Sequence, residues 1–199
     1  MSGSGALFDI DKLTDVSKNV ISHMKAEEVY NQVDAWSKEH DSEFNALFTR
    51  DKENSIAFLQ IGRGGKKPRK DIAVWTDVKP YMDFMFDELF NPDYTMPERV
   101  SKEDAISMLD DFAQVFDEND TPDGFFEKMK TIAEKHGYAA ETKAYKQNPE
   151  QYKGAVGDVS MVIRIAVAGR QNAPDLQSVM HIMGKDMVLK RLEACKNAL

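Results

Sequence analysis

The chain has 199 residues, of which 42% are hydrophobic, and a formal net charge of -8 at pH 7. This length suffices to bury a core without disulfides, and the single cysteine, Cys195, excludes an internal disulfide framework. No apolar run approaches the roughly 18 residues of a membrane-spanning helix, and the N-terminus does not resemble a secretory signal. We therefore expect a cytoplasmic protein that has no membrane partner and is monomeric.

Helical periodicity dominates the first part of the chain. Residues 1–5 (MSGSG) are interpreted as a flexible linker or as residues added for expression. Amphipathic patterns then predict helices over 10–23, 26–39, 42–50 and 53–60.

The middle of the chain contains stronger helical signals. Ser101 before Asp104 predicts the start of a helix over 101–116, and Thr121-Pro122 predicts the start of another that Gly137 ends. A helix is also predicted over 77–90, where Asn91-Pro92 stops an apolar face made of Val78, Tyr81, Met82, Met85, Phe86, Leu89 and Phe90.

The segment 159–167 (VSMVIRIAV) is rich in β-branched residues and could be a strand or a buried helix. We predict a helix because no neighbouring segment offers a partner strand. Pro174 is expected to open a short helix to Met183, and a last helix is expected over 185–197. The predicted fold class is therefore all-α, with two consecutive helical subdomains over 6–92 and 93–199.

Positive charge is concentrated in one short segment. No Asp or Glu occurs from Ser55 to Lys70, although residues 71–158 carry 20 acidic against 9 basic side chains. Glycine lets a backbone approach a ligand closely, proline stiffens it, and guanidinium and ammonium groups suit base edges and phosphates. In helical surroundings this predicts binding to single-stranded or looped RNA, with a solvated surface loop as the alternative. The candidate residues are Arg63, Lys66, Lys67, Arg69 and Lys70.

The sequence contains no other pattern of residues that indicates a metal site or an active site. The four histidines lack a second ligand at helical spacing. The segment 117–128 superficially resembles a calcium loop, but with Gly124 at the sixth position the twelfth would be Lys130, which has the wrong charge. No phosphate-binding loop or G-x-S-x-G motif occurs. We expect no metal, no cofactor and no active site in this chain.

Three blocks resemble the C-terminal half of bacterial glutamyl-tRNA synthetases. They are SGALFDIDKL (4–13), GGKKPRKDIAVWTDVKPYMDFMFDELF (64–90) and GDVSMVIRIAVAGRQNAPDLQSVMHIMGKDMVLKRLE (157–193). The resemblance implies an all-helical anticodon-binding region in two subdomains, with the anticodon stem-loop of tRNA(Glu) as partner. The "HIGH" and "KMSKS" motifs of the catalytic domain are missing here. The resemblance therefore implies tRNA binding without aminoacylation, while ATP and magnesium would belong to that catalytic domain.

Residue by residue, the resemblance matches the family's anticodon-reading arginine to Arg69, after Pro68, and a second arginine to Arg164. The family's loop before a short helix matches 172–176, which makes Pro174 and Leu176 candidate contacts. Ala173 stands where the family often has threonine, so a side-chain hydrogen bond there is in doubt. Arg170 is expected to add positive charge to this second face. Arg164 could equally be a paired structural arginine, because it lies among apolar residues.

A second class of function stays open. The acidic segment 71–158 could dock a basic partner, in which case the chain would be a helical protein–protein interaction domain and its basic loop would only add solubility.

Overall fold

The structure, a computed structural model, describes residues 9–199, so the linker assigned to residues 1–5 lies outside the described residues. The described residues form two compact units, 9–83 and 84–199. The division falls nine residues before the boundary that the sequence analysis placed after Pro92. Residues 84–93 belong to the second unit because Phe84 O accepts a hydrogen bond from Arg191 and the Asp93 amide donates to Gly169 O.

The first unit is a cluster of short helices with aspartate caps. Asp41 and Asp51 each accept a hydrogen bond from a backbone amide in the first turn of the following helix, at 3.0 Å. The four helices expected before residue 61 are confirmed to within one residue at each end. The helices are α1 (Ile10–His23), α2 (Ala26–His40), α3 (Ser42–Arg50), α4 (Lys52–Gln60) and α5 (Val78–Met82), with a 3-10 turn over Trp75–Asp77 before α5.

The core of the first unit lies between α2, α3 and α4. Its aromatic centre is a stack of Tyr30 on Phe48, with 4.8 Å between the ring centroids. Phe44 packs against Phe48 from the same helix. Burial of aromatic side chains dominates core energetics, so this cluster fixes how the three helices pack. The side chains of the unit that are fully buried are Val29, Val33, Phe44, Phe48, Phe58 and Val78.

The second unit contains six α-helices. Ser101 and Thr121 cap two of them by accepting hydrogen bonds from Asp104 N and Gly124 N, so both predicted helix starts are confirmed. The helices are α6 (Lys102–Val115), α7 (Pro122–Lys135), α8 (Thr142–Gln147), α9 (Val156–Ala168), α10 (Leu176–Met183) and α11 (Lys185–Ala198).

Helix α9 is the centre of the second unit. It packs against α6, α7 and α11, and Val159, Val162 and Ile163 are among its fully buried side chains. A helix that is apolar around most of its circumference is buried on most sides, which accounts for the strand-like composition of 159–167. Strand pairing among the described residues is limited to a single bridge between Ala139 and Ala155. The all-α fold class is confirmed.

Two details of the predicted helices are wrong. The helix expected over 77–90 is α-helical only over Val78–Met82 and continues as a 3-10 turn over Asp83–Met85. Phe84 and Phe86 are both buried, and side chains two residues apart cannot share one helical face. The short helix expected to open at Pro174 begins at Leu176, because Asp175 is its N-cap and accepts a hydrogen bond from Ser178 N at 2.9 Å.

None of the described helices is both long and apolar enough to cross a membrane.

We expect Asp41→Ala to destabilise the first unit by about 1–2 kcal/mol at pH 7, because α3 loses its N-cap. Asp41 also accepts a hydrogen bond from Lys79 Nζ at 2.7 Å. That bond and the one from Phe44 N hold the pKa of Asp41 below its usual 3.8. The contribution of a carboxylate with a lowered folded-state pKa is present above the unfolded-state pKa and disappears as the pH falls through the folded-state value. The difference between wild type and variant should therefore shrink below about pH 4.

Urea unfolding followed by tryptophan fluorescence measures this effect in the first unit alone, because Trp36 and Trp75 are the two tryptophans of the chain. Asp41→Asn is the control, since asparagine also caps helices but cannot form the ion pair, and it should cost less at pH 7. An Asp41→Ala loss that is equally large at pH 7 and pH 3 would contradict the assignment.

Candidate nucleic-acid interface

The candidate RNA-binding residues of the first unit lie on the loop 61–74, which joins α4 to the turn before α5. The loop folds back on itself because Arg69 N donates a hydrogen bond to Gly62 O at 3.0 Å. Gly62 has φ +75°, and a Cβ there would lie 2.6 Å from Arg69 Cδ. Glycine is therefore required at position 62 both by the backbone conformation and by the close approach of the Arg69 side chain.

Arg63 faces the interior of the unit. Its Nε donates to Leu59 O at 2.6 Å, and its Nη1 donates to Ile21 O at 2.6 Å and to Met24 O at 3.3 Å. These carbonyls lie at the C-terminal ends of α4 and α1, where a cation is favourable. Burial lowers the pKa of Arg63. This candidate RNA contact therefore has a structural role: it joins the ends of two helices.

Arg69 forms an ion pair with Asp71, the first residue after the segment Ser55–Lys70, which contains no acid. Its Nε and Nη2 donate to the two carboxylate oxygens of Asp71 at 2.8 and 3.0 Å. The hydrogen bonds that Arg69 donates to Asp71 raise the pKa of Arg69, and burial raises the pKa of nearby Tyr81 to about 12. The expectation that no acid neutralises the cluster is therefore wrong for Arg69. The bidentate pair holds the guanidinium in one orientation while about a third of the side chain stays exposed.

Lys66, Lys67 and Lys70 are exposed, and none of them forms an ion pair with any residue of the range 9–199. With Pro68 they line an open depression whose other wall consists of Asn19 and His23, near the C-terminal end of α1. Asn19 and His23 lie 42 and 38 positions before the first residue of the loop, so the local sequence does not connect them with it. We name this feature the lysine depression.

In the second unit Arg164 reaches from α9 to the loop before α10. Its Nη1 donates to Ala173 O and to Pro174 O, both at 2.8 Å. The side chains of Pro174 and Leu176 are buried, so they shape the loop from inside. Of the two readings left open for Arg164, the contacts favour a structural arginine that holds the loop 172–176.

Arg170 lies just after α9 and is partly buried. Its guanidinium lies 5.0 Å from the ring centroid of Phe84, a cation–π distance, and burial lowers its pKa. An aromatic ring therefore lies against its guanidinium.

The candidate residues thus form two groups, each within its own unit. The loop 61–74 brings together Arg63, Lys66, Lys67, Arg69 and Lys70, and the region around the start of α10 brings together Arg164, Arg170, Pro174 and Leu176. No group of three or more His, Cys, Asp or Glu side chains among residues 9–199 could hold a metal ion.

Comparison with known proteins identifies relatives for nearly the whole chain. The sequence model of the family described as "Anticodon binding domain" matches residues 67–196. The glutamate–tRNA ligase of Acetivibrio thermocellus is 45% identical over 193 residues, which cover 97% of this chain and 35% of the ligase. The glutamate–tRNA ligase of Sorangium cellulosum is 44% identical, over 96% of this chain and 34% of the ligase. That of Clostridium perfringens strain 13 is 41% identical, over 96% and 36%. The chain thus spans about a third of the length of these curated relatives.

We expect Arg63→Met to destabilise the first unit by about 2–4 kcal/mol, because three backbone carbonyls lose a charged donor. Lys67→Met is the matched control: it removes one cation from the same loop, and its ammonium makes no comparable contact. Urea unfolding followed by tryptophan fluorescence should shift for Arg63→Met and stay within about 0.5 kcal/mol for Lys67→Met. Equal shifts would mean that Arg63 has no special structural role.

Proposed function

This chain belongs to the anticodon-binding domain family, and from that membership we propose that it binds the anticodon stem-loop of tRNA(Glu) as the anticodon-binding part of a glutamate–tRNA ligase. The observation that carries the proposal is the lysine depression: three exposed lysines without an acidic partner in the described range, on a chain with net charge -8. In an acidic chain such a local patch is what a polyanion requires.

The lysines would contact phosphates of the loop backbone. Ammonium groups on flexible stems act as point charges that need no fixed geometry, which suits a backbone of variable shape. Asn19 can donate a hydrogen bond to a phosphate oxygen from the other wall of the depression. His23 lies beside Asn19 on the same wall, with its Nδ1 2.7 Å from Asn19 O.

Arg69 would read a base at the edge of the same loop. Asp71 engages two of the five guanidinium N–H groups and fixes the plane of the group, so the remaining donors keep a defined direction. A guanidinium offers donors only. It therefore favours the O2 and N3 acceptors of a cytosine over the donor-lined Watson–Crick edge of guanine.

The loop before α10 would supply the second contact with the RNA. Arg164 holds its backbone, and Gln171 and Asn172 are exposed beside it. Polar side chains on a fixed loop suit splayed bases of single-stranded RNA. Arg164 would then act as a positioning residue, and Arg170 would contribute charge and stacking.

In this proposal the chain binds tRNA and the chemistry of aminoacylation lies elsewhere in a ligase. ATP and magnesium would bind that other part, and the chain itself would act in the cytoplasm as one copy.

The competing proposal is a protein-interaction domain that docks a basic partner on its acidic middle segment. The contacts within the second unit disfavour it, because lysines of that unit already pair with five of the acids. The pairs are Lys128–Asp120, Lys135–Asp111, Lys153–Asp104, Lys190–Asp87 and Lys196–Asp110.

We expect replacement of Lys66, Lys67 and Lys70 together by Gln to reduce the salt dependence of binding to a tRNA(Glu) anticodon stem-loop. Three phosphate contacts release about three counterions, so the slope of log affinity against log salt should flatten by about 2 to 3. Fluorescence titrations between 50 and 200 mM salt measure it.

The charge-matched control replaces three exposed lysines of the second unit, Lys102, Lys143 and Lys146, by Gln. This control should change the slope by less than about 1, because long-range charge effects are screened. A slope that changes equally in both triple variants would remove the lysine depression from the interface. Absence of RNA binding by the wild-type chain would favour the protein-interaction domain.

We expect Arg69→Gln to weaken binding to the cognate stem-loop by about 1–3 kcal/mol and to narrow its preference for cytosine over guanine at the third anticodon position. Asp71→Asn should narrow the preference in the same direction, because the guanidinium loses its bidentate partner while its charge remains. Paired titrations with stem-loops that differ only at that base measure both effects.

Lys70→Gln serves as the control because a phosphate contact carries no base preference, so both stem-loops should weaken by the same factor. If Arg69→Gln also weakens both stem-loops equally, Arg69 positions the RNA and does not read the base.

A further inference from the structure

Helix α1 carries an apolar face that the described chain leaves uncovered. Ile10, Leu13, Val16 and Val20 are 66%, 53%, 58% and 57% exposed. Their spacing of three or four residues places them along one side of the helix. We name these four residues the α1 stripe.

The stripe continues onto the neighbouring loop. Ser17, on the same helix, donates a hydrogen bond from its hydroxyl to Ala73 O, and the next residue, Val74, is 53% exposed. The other exposed large apolar side chains in the described range, Val115 and Phe126, are less exposed, at 42% each. Exposed apolar residues are ordinary when scattered, whereas a contiguous patch marks an interaction site.

Helix α1 is anchored at one end. Ile21 and Ser22 are its buried residues, and Arg63 holds Ile21 O and Met24 O at that end. The first turns of the helix are exposed on all sides, although Asp9 caps the helix by accepting a hydrogen bond from Lys12 N. An amphipathic helix gains most of its stability from packing its apolar face, so this arrangement is suited to packing against a further surface.

We propose that the α1 stripe is the docking surface for the part of the glutamate–tRNA ligase polypeptide that lies outside the region matching this chain. The inference rests on the proposed function, in which the chain works as part of such a ligase. This chain covers 34–36% of the relatives' length, so about two-thirds of a ligase is available to cover the stripe.

The size of the stripe favours a covalently linked partner over a second copy of the chain. A helix of 14 residues is about 21 Å long, and one face of it falls short of the roughly 800 Å² per partner that a stable dimer buries. A segment of the same polypeptide needs less area, because linkage raises its effective concentration to about the millimolar range.

The charges around the stripe disfavour a membrane surface as the docking partner. On α1, Asp11 and Asp15 balance Lys12 and Lys18, and the N-cap Asp9 adds one negative charge. An interfacial membrane helix would carry an excess of lysine and arginine on its polar face. The stripe therefore fits an apolar protein surface.

Amide hydrogen exchange tests the proposal on two proteins that need no substitution. The isolated chain is compared with the intact Acetivibrio thermocellus ligase, peptide by peptide along the alignment. We expect the segment aligned with residues 10–20 to exchange at least tenfold more slowly in the ligase. The segment aligned with α6 is the internal control and should differ by less than about twofold. Equal exchange of the α1 segment in both proteins would overturn the proposal.

A chimera provides a second, surface-specific measurement. In it this chain replaces the matching third of the Acetivibrio thermocellus ligase, and Val16→Cys is labelled with a maleimide that mass spectrometry localises. Labelling should be at least tenfold slower in the chimera than in the isolated chain. Val115→Cys, on an exposed site of α6, is the matched control and should label at similar rates in both. Equal labelling of position 16 in both proteins would overturn the proposal.

Light scattering of the isolated chain tests the competing possibility, in which a second copy of the chain covers the α1 stripe. We expect a monomer at micromolar concentration. A dimer that Leu13→Glu dissociates would assign the stripe to a second copy and overturn docking within one polypeptide. These measurements contain no RNA, so a negative result leaves the proposed anticodon binding intact, and failure of RNA binding leaves these results interpretable.

Discussion

The first unit depends on one partly buried arginine. Arg63 donates hydrogen bonds to the carbonyl oxygens of Leu59, Ile21 and Met24. It thereby connects the C-terminal ends of two helices that are distant in sequence. Unpaired helix carbonyls carry partial negative charge, and a guanidinium is the side chain that can satisfy several of them at once. With these ends fixed, the loop that follows starts from a defined point and can close through the hydrogen bond from Arg69 N to Gly62 O.

Because the loop is closed in this way, its cationic side chains make different contacts. Arg63 is committed to backbone oxygens, and Asp71 orients Arg69. Lys66, Lys67 and Lys70 lie on the surface, where their long, flexible side chains are hydrated. In the proposed function, an arginine of fixed orientation would read a base beside lysines that contact phosphates. This arrangement would separate specificity from affinity, because only the fixed group loses energy when the wrong base is offered.

Periodicity predicted most helices because local patterns determine where an amphipathic helix begins and ends, as Asp41 and Thr121 illustrate. It failed over 84–90, where two buried phenylalanines at an even spacing cannot share a helical face. Charge and resemblance predict the candidate residues. They do not predict the role of Arg63, because the Ile21 carbonyl oxygen to which it donates a hydrogen bond lies 42 positions earlier in the chain. Asp71 is the first residue after the segment Ser55–Lys70, which contains no acid, so the charge of that segment alone does not reveal its pairing with Arg69. The predicted RNA contacts themselves stay predictions.

In the second unit, as in the first, an arginine holds the backbone by donating hydrogen bonds to main-chain carbonyl oxygens. Arg164 donates to the main-chain carbonyls of Ala173 and Pro174, so the conformation of the loop before α10 depends on backbone atoms and on the arginine that holds them. The side chain at position 173 is therefore not needed to hold the loop, and alanine can stand where the resembled family often has threonine.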